Sequence, residues 1–337
     1  MAVLVDLFTG TGTYDIAIVA GDGSVVARAH PKKRTPILDA AELPYVSASS
    51  SRVYYLDGDR DVRYLKADGT TGLAGFSVPG RAGVHATFAV SPDDARIAVA
   101  VLDYSVDPVQ LTLYVVDAGS VHPAVIYSST TQYVWPVAWR LGRLVGANHG
   151  APPFVSRAVE YSNGDRARHP YGPNPYGAVS YEVIHPSTAQ SEPLIVGGGG
   201  GVTGLLSRSG TGVLNAGSVD WTGTYRSFPS GAYQATDAAG SLSPSGVGLA
   251  LYYSDGRLLI IDTQGFARDL RERGDSSDWV AWLDGNHLVT GFYQRSDGSP
   301  SIIDISYLPE SGVVLDKATP IDAHGIVAAI LPANLDG

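Results

Sequence analysis

Two imidazoles (His85 and His324), two carboxylates (Asp237 and Asp278) and three aromatic rings (Tyr45, Trp135 and Trp279) share one local setting in this chain. Each stands at the start of a short run of small or apolar residues, and the runs recur at about forty to fifty residues or twice that. Imidazole and carboxylate together ligate a divalent metal or move protons, and aromatic faces bind sugars and cations. If the fold brings the seven positions to one mouth, they form a ring for binding or for catalysis. If it does not, the aromatics plug a channel and the histidines bond to backbone carbonyls.

A second group of ligand-type side chains is concentrated in residues 148–178, NHGAPPFVSRAVEYSNGDRARHPYGPNPYGA. There His149, Arg157, Arg168, His169, Tyr171 and Tyr176 offer stacking and anion contacts, while the prolines limit the loop's freedom. Loops of this length in a compact domain are usually functional or disordered, and this one reads as a lid or recognition loop. Asp57, Asp59 and Asp61, in LDGDRDVRYLKAD, have the alternating spacing of a calcium loop. Val62 stands where such a loop needs glycine, however, and Asp68 where it needs a bidentate Glu, so the segment reads as an acidic hairpin turn. No cofactor is expected, and a divalent metal enters only if these groups or the two histidines hold one. The basic run Lys32-Lys33-Arg34 lies between prolines and reads as a solvated turn.

What positions these groups is a repeat. Residues 87–101, TFAVSPDDARIAVAV, are a small-residue strand, a Ser-Pro-Asp-Asp turn and a strand of β-formers; LTLYVVDAG and PAVIYSS complete a four-strand unit. The same grammar returns in AAGSLSPSGVGLALYYSDGRLLIIDTQGFARDL, where Ser243-Pro244 matches Ser91-Pro92. Asp117, Asp262 and Asp304 read as the ends of third strands. Looser copies start at Tyr45, Val137 and Trp279, and a glycine-rich one spans residues 201–228. Two fragments remain: HGIVAAILPANLDG supplies a first strand, and AVLVDLFTGTGTYDIAIVAGDGSVVARAH the other three. The expectation is an all-β, single-domain, seven-bladed β-propeller over residues 1–337 with four-stranded antiparallel blades. One composite blade, residues 1–31 plus 321–335, closes the ring from both chain termini and removes an open edge. First strands converge on the axis, which explains their small residues: Ser47, Ala48 and Ser49; Ala86, Thr87 and Ala89; Ala238 to Ser241.

Composition agrees with this architecture. Forty glycines and twenty-one prolines suit many short strands separated by turns, and predict almost no helix. A formal charge of -10 opposes phosphate backbones, so nucleic acid is not an expected partner. The absence of cysteine removes disulfides and thiolate chemistry. No apolar stretch approaches the roughly 20 residues of a membrane span.

The repeats resemble the TolB-type and WD-repeat-like β-propellers of bacteria, in which an S-P-D-G-like turn follows the innermost strand and an apolar strand ends in Asp. Ser91, Pro92, Asp93 and Asp94, and Ser243, Pro244, Ser245 and Gly246, carry the likeness over nearly the whole chain, although the Gly-His and Trp-Asp signatures of true WD repeats are missing. The resemblance implies a fold and not an activity, because such propellers serve as binding platforms, as partner domains of peptidases and as enzymes. The sequence leaves open a cytoplasmic protein or one whose signal segment is removed, and the resemblance slightly favours the second, an extracytoplasmic (secreted or periplasmic) location. The functional expectation is a monomeric, non-catalytic platform that binds a protein, peptide or glycan on the top face of the channel. The alternative is a metal-assisted hydrolase or lyase acting on a carbohydrate or lactone, with His85 and His324 as ligands or acid/base groups and Asp237 or Asp278 as carboxylate partners.

Overall fold

Runs that alternate or are uniformly apolar become strands, and the Gly-, Pro- and Asp-rich breaks become turns. The computed structural model describes residues 1–36 except 8, 10 and 11; 46–148 except 119, 121 and 141; and 180–195. Beyond these it describes 205–206, 212–214, 217–219, 225–227, 238–242, 248–253, 258–262, 267–270, 279–291, 298–308 and 312–331. Among the described residues there is no α-helix, and the strands form seven four-stranded antiparallel sheets. Among the described residues no helix is long and apolar enough to cross a membrane.

The first sheet joins β1 (Ala2–Asp6), β2 (Asp15–Val19) and β3 (Val25–Ala29) to a strand from the far end of the chain, β28 (Ile326–Ile330). The second contains β4 (Val46–Ala48), β5 (Val53–Asp57), β6 (Asp61–Leu65) and β7 (Thr71–Ser77), and the third β8 (Val84–Val90), β9 (Arg96–Asp103), β10 (Gln110–Asp117) and β11 (Ala124–Ser129). The fourth runs β12 (Val134–Arg140), β13 (Arg143–Asn148), β14 (Ser180–Ile184) and β15 (Ser191–Ile195). In the fifth are β16 (Leu205–Leu206), β17 (Gly212–Leu214), β18 (Gly217–Val219) and β19 (Tyr225–Ser227). The sixth has β20 (Ala238–Leu242), β21 (Gly248–Tyr253), β22 (Leu258–Asp262) and β23 (Ala267–Asp269), and the seventh β24 (Trp279–Trp282), β25 (His287–Gly291), β26 (Ser301–Leu308) and β27 (Gly312–Pro320). β10 and β22 end at Asp117 and Asp262, but β26 continues four residues past Asp304, so that aspartate does not close its strand. The apolar register is carried on to Ile305, which is buried.

First strands touch at six junctions between successive sheets. β4 lies against β8 and β28, β8 against β12, β20 against β16 and β24, and β24 against β28. Glycines allow close backbone approach where β28 joins β1 and where β25 of the seventh sheet meets the residue before β28. At Gly325, where φ is +119°, a Cβ would stand 2.3 Å from the Val5 carbonyl oxygen, and one at Gly291 would stand 2.9 Å from the Gly325 carbonyl oxygen. The outer strands are wetter, and β7 alternates between exposed and half-buried positions along its whole length.

Between sheets the core is aliphatic and aromatic, with polar atoms where a strand has no further partner. Trp139 is buried and donates from Nε1 to the Ala89 carbonyl at 2.9 Å, while the Arg96 guanidinium lies 4.7 Å from its ring centre. The Ser91-Pro92-Asp93-Asp94 turn does more than reverse the chain. Ser91 Oγ donates to Asp93 Oδ1 at 2.6 Å and accepts from the Arg96 N–H at 2.8 Å. Asp94, at φ +61°, crosses to the second sheet, accepting from Ser51 Oγ (2.7 Å) and Tyr54 OH (3.0 Å) and pairing with Arg52 (3.3 Å). The turn therefore staples neighbouring sheets as well as ending a strand pair.

Candidate functional site

After β3 the chain crosses the start of β8 as an extended strap, residues 31–35. Its backbone is held from both sides: the Lys33 N–H donates to the Gly12 carbonyl (2.8 Å), and the Lys32 carbonyl accepts from the Gly58 N–H (2.9 Å). The acidic β5–β6 turn supplies the remaining anchors. Asp57 Oδ1 accepts from the Lys32 N–H at 2.9 Å, and the Asp59 carboxylate takes both the N–H (2.6 Å) and the hydroxyl (2.9 Å) of Thr35. Asp57 and Asp59 thus anchor a strap, and Asp61 opens β6 opposite Asp57.

The strap turns Arg34 inward. The sequence reads Lys32-Lys33-Arg34 as a solvated turn, but Arg34 is 4 % exposed and donates from Nη1 to the Ala86 carbonyl at 2.9 Å. The register explains why that carbonyl is free. Tyr104 N–H donates to the Gly83 carbonyl and Ser91 N–H to the Arg96 carbonyl, so odd-numbered residues of β8 bond to β9 and even-numbered ones face the other edge. That edge needs donors and acceptors from elsewhere; Arg34 serves Ala86, and Ser47 Oγ accepts from the Val90 N–H at 2.9 Å.

His85 lies under the same strap. Its Nε2 is 2.8 Å from the Thr35 carbonyl oxygen, which can only accept, so Nε2 carries the proton and Nδ1 presents a bare lone pair. Burial, and next the Arg34 guanidinium, push the imidazole pKa down to about 4. The ring is therefore neutral near pH 7, with the Tyr104 ring edge-on at 6.2 Å. His85 Nδ1 has no hydrogen-bond partner among the described residues.

The other expected ring members fare differently. Trp135, expected at the mouth, is 1 % exposed in β12 and packs in the core between the third and fourth sheets with Trp139, Leu102 and Leu111. Trp279 opens β24, opposite Gly291 in the register. His324 precedes β28, half-buried, with a buried Nδ1 that has no hydrogen-bond partner among the described residues. Tyr45, Asp237 and Asp278 lie outside the described residues, as do His149, Arg157, Arg168, His169, Tyr171 and Tyr176 of the long segment between β13 and β14. Among the described residues no group of three His, Asp or Glu side chains is arranged to hold a metal ion. Sequence reasoning gives Arg34 only as part of a solvated turn and Thr87 only as a small first-strand residue, and it does not mark Thr35. The one available signal was the pair of prolines, Pro31 and Pro36, that brackets the basic run and favours an extended strap over a flexible turn.

No family model matches the chain, and no curated protein matches it. Among solved structures it is similar to a chain of the mitotic checkpoint complex, at 13 % identity and a TM-score of 0.49, over 85 % of this chain and 81 % of that one. KlHsv2 with loop 6CD replaced by a Gly-Ser linker is similar at 12 % identity and a TM-score of 0.45, over 91 % and 92 % of the two chains. Prolyl oligopeptidase B from Galerina marginata is similar at 12 % identity and a TM-score of 0.44, over 88 % of this chain but only 43 % of the oligopeptidase. Likenesses this distant transfer no activity.

Proposed function

We propose that the seven sheets are the blades of one closed seven-bladed propeller, with β28 completing the blade of β1 to β3. In this reading residues 1–337 form one domain and act as a monomeric, non-catalytic platform that binds a protein, peptide or glycan on the face where the first strands begin. The contacts between successive first strands support the ring, and the antiparallel pairing of β1 with β28 supports its closure.

The observation that carries the binding reading is the commitment of His85. An acid/base group must reach the proton it moves. Here Nε2 is spent on the Thr35 carbonyl, and the strap covers the ring. The best-placed imidazole therefore holds the scaffold, and in this reading recognition falls to the Tyr and Arg side chains of the long segment 148–178. The alternative, a metal-assisted hydrolase or lyase, rests on His324, whose half-buried ring has a nitrogen with no hydrogen-bond partner among the described residues, and it would draw its carboxylate from Asp237 or Asp278. A peptide and glycan array probed with the full chain tests the proposal. Binding that is lost when residues 150–177 are replaced by a short Gly-Ser linker, and kept when Arg52 on the opposite face becomes Ala, is expected. Binding that survives the replacement but fails in Arg52→Ala, or turnover of an arrayed glycan, overturns it.

A further inference from the structure

His85 is not the only group on β8 with spare hydrogen-bonding capacity. Two residues on, and so on the same face of the strand, Thr87 is wholly buried and its Oγ1 has no hydrogen-bond partner among the described residues. The two side chains stand opposite Leu102 and Ala100 of β9, and Ala89, next along that face, stands opposite Ala98. This face packs toward the fourth sheet, where Ala89, Ala98, Ala100 and Leu102 share a core with Val134 and Trp139. Alanines opposite Thr87 and Ala89 leave the strand short of side-chain volume beside the two polar atoms.

Buried polar atoms in folded proteins nearly always have a partner, and two orphans on one face of one strand call for a shared one. Its chemistry follows from the atoms. Nδ1, with the ring proton fixed on Nε2 by the Thr35 carbonyl, can only accept, so the partner must donate. An anion cannot. A cation would meet the Arg34 guanidinium, which already acts electrostatically on this imidazole. The Cα atoms at i and i+2 are about 7 Å apart along a strand, and side chains that lean toward each other from these positions come within the roughly 6 Å that one water, both donor and acceptor, can bridge. We infer that a buried water molecule sits between the first strands of the third and fourth sheets, donating to His85 Nδ1 and accepting from Thr87 Oγ1. It completes the polar plug begun by Arg34 and is independent of what the outer face binds.

Thr87→Val, which keeps the shape and removes the hydroxyl, tests this by the sign of its effect. With the water bound, the substitution strips it of one of two side-chain partners and lowers the melting temperature by roughly 2 to 4 °C. In a His85→Gln background, where the acceptor has changed, the same substitution costs less. A Thr87→Val protein that melts at or above the wild-type temperature contradicts the inference, because removing a truly unpaired buried hydroxyl is neutral or stabilising. A high-resolution crystal structure reads the site directly. A solvent molecule within about 3.2 Å of both atoms is expected, and direct protein partners on either atom would overturn the assignment.

Discussion

At the turn end of β8, Asp94 accepts from Ser51 and Tyr54 and pairs with Arg52, while Ser91 and Asp93 close on each other and on the next strand. At the start end, six residues earlier, His85 Nδ1 and Thr87 Oγ1 have no partner among the described residues, and a buried guanidinium serves a backbone carbonyl from 52 residues away. One end is a finished polar staple made from a local motif. The other is sealed by a distant strap and keeps hydrogen-bonding capacity in reserve. The difference separates what the repeat needs in order to fold from what this particular chain has added at the face we assign to recognition.

Substitutions at the seam set the scale for that comparison. Gly325→Val places a side chain against the Val5 carbonyl at a φ of +119°. It should cost about 4 kcal/mol or more, read as a large drop in the urea midpoint. A protein of unchanged midpoint would mean that the two chain ends are not packed together. Next comes pH, which separates the two ends of β8. The unfolded His85 titrates near 6.5 and the folded one at about 4, so the unfolded state takes up more protons in between. Stability is therefore intact above about pH 6.5 and falls as the pH drops toward 4, by on the order of 3 kcal/mol. Comparing urea midpoints of wild type and His85→Gln across that window isolates the effect; parallel pH profiles would show that the imidazole is not sealed.

Arg34→Met keeps the aliphatic stem but leaves the Ala86 carbonyl without its donor, at a cost of about 2 to 3 kcal/mol. At the opposite end Asp94→Ala loses the cross-sheet bonds and puts alanine at φ +61°, for about 2 kcal/mol. Asp94→Asn, which tolerates that backbone and keeps an acceptor, should cost about half as much. If Arg34→Met proved harmless while Asp94→Ala did not, the strap would be decoration and the contrast between the ends would fail. The smallest effect belongs to Leu73→Thr on the exposed outer strand β7, within about 0.5 kcal/mol of wild type.

The four-strand grammar was legible because its signals are local. Alternation, small first strands and the Ser-Pro-Asp-Asp turn each act within a few residues, and β8 to β11 fall where the sequence places them. Even the pairing of β1 with β28 follows from counting leftover strands. The site was less legible. His85 was placed correctly at the start of its strand, but nothing near it marks the Thr35 carbonyl that takes its proton. Arg34 was misread because its partner is a backbone carbonyl, which has no signature in sequence, freed by a register that only the paired strands define. Trp135 was misread for the opposite reason, since an indole at a strand start serves a mouth or a core equally well. Asp57 and Asp59 had the alternation of metal ligands because a tight turn places successive carboxylates where they also reach a neighbouring backbone.

A thermal-shift panel on the purified chain, with chelator, divalent metals, simple sugars and short peptides in parallel wells, tests the central claim most directly. A ligand at one hundred times its dissociation constant stabilises by about 2.7 kcal/mol, enough for a clear shift. The account predicts a melting temperature unmoved by chelator and metals and raised by at least one sugar or peptide. A fall with chelator that one metal restores would contradict it and favour the metal-assisted enzyme built on His324.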